Sequence, residues 1–80
     1  MSAPLKNLSA RKAKKVLHEA IELKPGDADY RVLLAQIYLR SKKIDVGVGI
    51  LKRALKINPN HEKALIILEK VKKLHGPQVA

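Results

Sequence analysis

Three histidines, three serines and seven carboxylates are the residues of this chain that could carry reaction chemistry, and their spacing limits what they can do. His18, His61 and His75 stand 43 and 14 residues apart, so no two of them fall at metal-ligand spacing on one helix. All three read as ordinary surface residues. Ser2, Ser9 and Ser41 fall at a terminus or a turn, and the acids are scattered singly or stand at helix starts, so nucleophile, base and acid do not converge. The absence of cysteine removes disulfides, thiolate metal sites and a thiol nucleophile. Gly47-Val48-Gly49 opens a helix without the further glycine and the lysine that phosphate-cradling loops use. The chain is therefore expected to be no enzyme and to hold no cofactor or metal.

Positive charge is what the chain carries in quantity. Seventeen Lys and Arg against seven acids give a formal charge of +10 and a pI near 10.2. The excess is +4 over residues 1–24, +4 over 25–58 and +2 over 59–80, so no segment is a detachable basic tail. A field of this sign favours anionic partners and speeds encounter with them. Nucleic acid is one class of partner, but Tyr30 and Tyr38 are the only aromatics available for base stacking and the charge forms no dense stripe. That makes nucleic-acid binding a runner-up to protein binding. The longest apolar run, Ala64 to Leu68, is five residues, far short of the roughly 20 that cross a bilayer. With no export signal visible in Met1-Ser2-Ala3-Pro4, the expected location is the cytoplasm and no membrane partner is expected.

The elements that position these charges are set by two punctuation marks. Lys24-Pro25-Gly26-Asp27 and Asn58-Pro59-Asn60-His61 place their prolines 34 residues apart. A shift of 34 also superimposes Leu17 on Leu51, Ala20 on Ala54 and Leu34 on Leu68, and it keeps apolar class at Val16/Ile50, Ile21/Leu55, Val32/Ile66 and Leu33/Ile67. A self-match at fixed period signals stacked units, none of which can bury its apolar face alone. Within each unit apolar residues recur at three and four, as in Ala13, Val16, Leu17, Ala20, Ile21, which is helical spacing. Ser9, Asp27, Asp45 and Asn60 can each accept from the free amides of a first turn. The spacing predicts four helices near residues 9–24, 28–41, 45–57 and 61–75, with residues 1–8 and 76–80 as flexible ends.

The unit from Ala28 to His61 resembles a tetratricopeptide repeat. The resemblance rests on Leu34, Ala35 and Tyr38 in its first helix and on Gly47, Leu51, Ala54 and Pro59 in and after its second. Ala13, Leu17, Ala20 and Pro25 repeat the second-helix half of the pattern, and Leu65 and Leu68 repeat the first-helix half. The implied fold is all-α, with about four helices in antiparallel pairs stacked as a short right-handed superhelix over residues 9–75. Its parts are a second-helix half repeat at 9–27, a full repeat at 28–61 and a first-helix half repeat at 62–75. Arg31 departs from the pattern, replacing a large apolar residue, and Glu69 and Lys72 stand where a small residue and a tyrosine are usual.

The resemblance implies a protein-binding scaffold whose first helices line a concave groove. Carried onto this sequence, that groove is lined by Asp29, Val32, Leu33, Gln36, Arg40, Lys63, Ile66, Ile67, Lys70 and Lys73. Apolar anchors on Val32, Leu33 and Ile66, and carboxylates on Arg40, Lys63, Lys70 and Lys73, would suit an extended or helical segment rich in acidic and aliphatic residues. Lysines spaced along helices also occur simply as a solvated face, and the same aliphatic residues can belong to a core. The array opens without a first helix for residues 9–24 and closes without a second helix for 61–75. Self-association, an intramolecular neighbour, or a role as a structural dimerisation or capping unit in a larger repeat protein are the alternatives.

Overall fold

The computed structural model describes residues 2–75, with side chains from residue 10 onward. It contains α1 (Ser2–Leu23), α2 (Ala28–Arg40), α3 (Ile44–Ile57) and α4 (Glu62–His75), with no strand among the described residues. Met1 and the expected tail at 76–80 lie outside the described residues. α1 extends N-terminally through residues expected to precede it, so Ser9 lies within the helix and is not its start. Pro4 is no obstacle there, because it falls in the first turn, where a backbone N–H has no intrahelical acceptor.

The 34-residue register is visible in the hydrogen bonds of the two proline turns. Lys24 N–H donates to Ala20 O (2.9 Å) and Asp27 N–H to Lys24 O (3.1 Å); at the second turn Asn58 N–H donates to Ala54 O (2.9 Å) and His61 N–H to Asn58 O (3.1 Å). Each bond has its counterpart 34 positions on. The cap positions match as well: Asp27 accepts from Asp29 N–H at 3.0 Å, and His61 Nδ1 accepts from Ala64 N–H at 3.2 Å. The start of the last helix is thus capped by His61 rather than Asn60, whose own N–H is taken by Asn58 Oδ1 at 3.1 Å. Asp45 does not cap α3 either. Lys43 occupies that position without a side-chain bond, and Asp45 lies in the first turn, where its charge favours the helix dipole.

Between α2 and α3 the chain turns through Ser41, Lys42 and Lys43. Lys42 has φ of 64°, while its N–H reaches Leu39 O (3.0 Å) and Lys43 N–H reaches Tyr38 O (2.9 Å). This pair of bonds closes a helix end with a left-handed residue, a place where glycine is usual.

The core is built from small and branched aliphatics on three helices. Ala28, Val32, Ala35, Leu51, Ala54 and Ala64 form one buried cluster, with Leu39, Ile50, Leu55, Ile67 and Leu68 packed against it. Leu34, Val48 and Val71 are buried too, as is Gly47. α2 and α3 make the most extensive helix pair, and a glycine is needed where they cross. A Cβ on Gly47 would lie 2.6 Å from Leu39 Cγ and Cδ2 and 3.2 Å from the Ala35 carbonyl oxygen. Gly49, two residues on, faces open space.

α1 packs on α2 without a single fully buried side chain among its described residues. Ala20 is half-buried, whereas its copy Ala54 is wholly enclosed. Lys14 lies over the Tyr38 ring, 5.1 Å from its centroid, a cation–π contact that ties the two helices. Arg31, expected to weaken a packing site, has a substitute contact, since its Nη1 donates to Pro25 O at 2.6 Å.

Candidate protein-binding groove

Helix periodicity decides which expected groove residues can meet a partner. On α2, positions 28, 32, 35 and 39 turn toward the core, so Val32 is 1% exposed and cannot line a surface. Its expected role in the groove is corrected by that burial. Leu33, Gln36 and Arg40 lie on the adjoining stripe and remain accessible. Together with Ala13, Val16 and Leu17 of α1 they line an open depression of about 550 Å³.

On α4, Ile66, Lys70 and Lys73 border a second depression of about 430 Å³ with Leu65 and Glu69. Leu65 and Ile66 are 45% and 51% exposed, which gives a patch of aliphatic surface between two lysines. Ile67 is turned from it and packs against the core cluster. Lys63 is exposed in the first turn of α4.

Asp29 lies elsewhere, in the cleft between the two proline turns, beside Asp27, Asn58 and His61. Its Oδ1 is 2.6 Å from His61 Nε2. The ten expected residues therefore divide into a set on the α1/α2 groove, an α4 set, Asp29 at the start of α2 beside the proline turns, and core residues. Sequence reasoning missed the α1 contribution of Lys12, Ala13, Val16 and Leu17, although the 34-residue match already set Leu17 against Leu51. It also took His61 for an ordinary surface residue. The matching position of Asp27, itself a cap, was the available signal.

No three His, Cys, Asp or Glu side chains converge as a metal site among the described residues. No helix among them is long and apolar enough to cross a membrane. The basic groups stand at the edges of aliphatic surface, an arrangement that suits binding by apolar contact with charge-assisted hydrogen bonds at the rim.

The sequence pattern of the tetratricopeptide repeat matches residues 9–71, most of the chain. The chain belongs to the tetratricopeptide repeat family. No curated protein and no solved structure matches it. Repeats of this family are typically non-catalytic modules for protein–protein interaction. Of the residues expected to build the repeat, Leu34, Ala35, Gly47, Leu51 and Ala54 are buried, Ala20 and Tyr38 are half-buried, and Pro25 and Pro59 stand exposed in the turns.

Proposed function

We propose that this tetratricopeptide repeat protein is a scaffold that binds a segment of a partner protein, extended or helical and rich in acidic and aliphatic residues. The observation that carries this reading is the pairing of exposed aliphatic side chains with basic ones on first-type helices. Leu33 is 44% exposed on the helix that carries Arg40, and Ile66 is 51% exposed between Lys63 and Lys70. Isolated exposed aliphatics are unremarkable, but clusters edged by polar and charged groups mark interaction surfaces. The net charge of +10 adds long-range attraction for such a segment.

The test is titration of acidic–aliphatic peptides against the protein and against Ile66→Asp and Lys70→Glu. Both positions are exposed, so the fold should survive. About a tenfold weakening, or 1.4 kcal/mol, is expected from either. Peptide affinity indifferent to both changes, with tight and steeply salt-dependent binding of mixed oligonucleotides, would replace this reading by nucleic-acid binding.

A further inference from the structure

The junction of α3 with α4 is the internal copy of the junction of α1 with α2, and among the described residues only one of the two is covered. At the α3/α4 junction Gly47 is buried, Leu51 and Ala54 are 0% exposed, and Ile50 and Ile67 are half-buried against the core. The cover is α2: Leu39 and the Ala35 carbonyl lie against Gly47. Thirty-four residues earlier stand Ala13, Leu17, Ala20, Val16 and Leu33. The first three are half-buried, Val16 is 60% exposed and Leu33 is 44% exposed. Residue for residue the α1/α2 surface is the more open, and most of it lines the 550 Å³ depression.

We infer that the α1/α2 groove is a docking site for one amphipathic helix of a partner protein, seated as α2 is seated on α3 and α4. This goes beyond the reading above, because α4 takes no part. Two features define the occupant. Ala13 stands where Gly47 admits Ala35 and Leu39, so the helix must bring a small residue to that crossing. Lys12 and Arg40 border the groove, which has no acidic residue in its lining, so carboxylates belong at the helix flanks.

A second copy of this chain does not meet that description. The first-type helix of its own that matches α2 is α4, and there Glu69 and Lys73 occupy the positions matching Ala35 and Leu39. A carboxylate driven against Ala13 would be desolvated without a partner at the closest point of the crossing.

The probe is a fluorescent peptide of residues 27–41 carrying Arg31→Glu and Arg40→Glu, held helical by a hydrocarbon staple across the positions of Asp29 and Leu33. Saturable one-to-one binding in the micromolar range is expected by anisotropy, weakened about tenfold by Val16→Glu or Lys12→Glu in the protein. The peptide with Ala35→Glu should bind about tenfold more weakly as well, while Lys56→Glu, on the exposed face of α3 and outside the groove lining, leaves binding unchanged. Circular dichroism of both protein variants confirms that the helices persist, since both sites are exposed. No binding below about 1 mM, or equal loss with Lys56→Glu and with Val16→Glu, would overturn the proposal. So would a dimer in sedimentation that Val16→Glu dissolves, because the occupant would then be a second copy.

Discussion

His61 Nε2 lies 2.6 Å from Asp29 Oδ1, joining the start of α4 to the first turn of α2 across 32 residues of sequence. The same ring accepts from Ala64 N–H through Nδ1, so that nitrogen carries no proton and Nε2 is the donor to the carboxylate. One side chain thus caps a helix and clips two repeats together. The ring is 12% exposed and the Asp29 side chain 76%, so the cap outweighs the solvent-screened clip.

Replacing His61 separates the two roles. His61→Ala should destabilise the fold by about 1–2 kcal/mol, chiefly through the lost cap. His61→Asn keeps a capping oxygen and should recover most of that. Equal midpoints for the two variants in urea unfolding would refute the capping role.

Two glycines two residues apart should respond with opposite sign. Gly49→Ala places a methyl group in open space on an exposed helix position and should stabilise by roughly 0.5–1 kcal/mol. Gly47→Ala forces Leu39 to move and crowds the Ala35 carbonyl, an overpacking penalty of about 1–3 kcal/mol that exceeds the same propensity gain. Thermal unfolding of both variants reads the difference directly.

Lys42 holds a left-handed backbone with φ of 64°. Lys42→Gly relieves this, less the greater freedom that glycine gives the unfolded chain, for a net gain of about 0.5–1 kcal/mol. In a chain of this size the melting temperature should rise by a few degrees, roughly 2–8 °C. An unchanged or lowered melting temperature would show that the turn holds no such strain.

Leu17 and Leu51 are copies in the sequence but differ in environment. Leu51 is 0% exposed, and Leu51→Ala should cost about 2–5 kcal/mol, enough to unfold much of a small domain. Leu17 is half-buried in an open groove, and Leu17→Ala should cost only about 1–2 kcal/mol. Matched losses would mean that the groove is filled in solution.

The fold was legible because its cause is periodic. Proline turns 34 residues apart, with Ala and Gly at the helix crossings, recur in the hydrogen bonds and in the buried cluster. The candidate site was only partly legible, because a 34-residue repeat places positions on a helix without saying which neighbours are present to cover them. Val32 and Leu33 are adjacent aliphatics, yet one is enclosed by three helices' worth of core and the other is open. Ala20 and Ala54 match in sequence and differ in burial for the same reason. His61 was misjudged because residue type suggested a surface role, while its place in the repeat, over Asp27, marked a cap.

The uneven distribution of buried side chains has a kinetic consequence. Helices α2, α3 and α4 share the enclosed cluster, while α1 contributes no fully enclosed side chain from its described residues. Its amides should therefore exchange with deuterium through a sub-global opening of lower free energy than the event that exposes those of α3. A helix held this lightly is a cooperative unit of its own, able to detach and redock while α2, α3 and α4 stay folded.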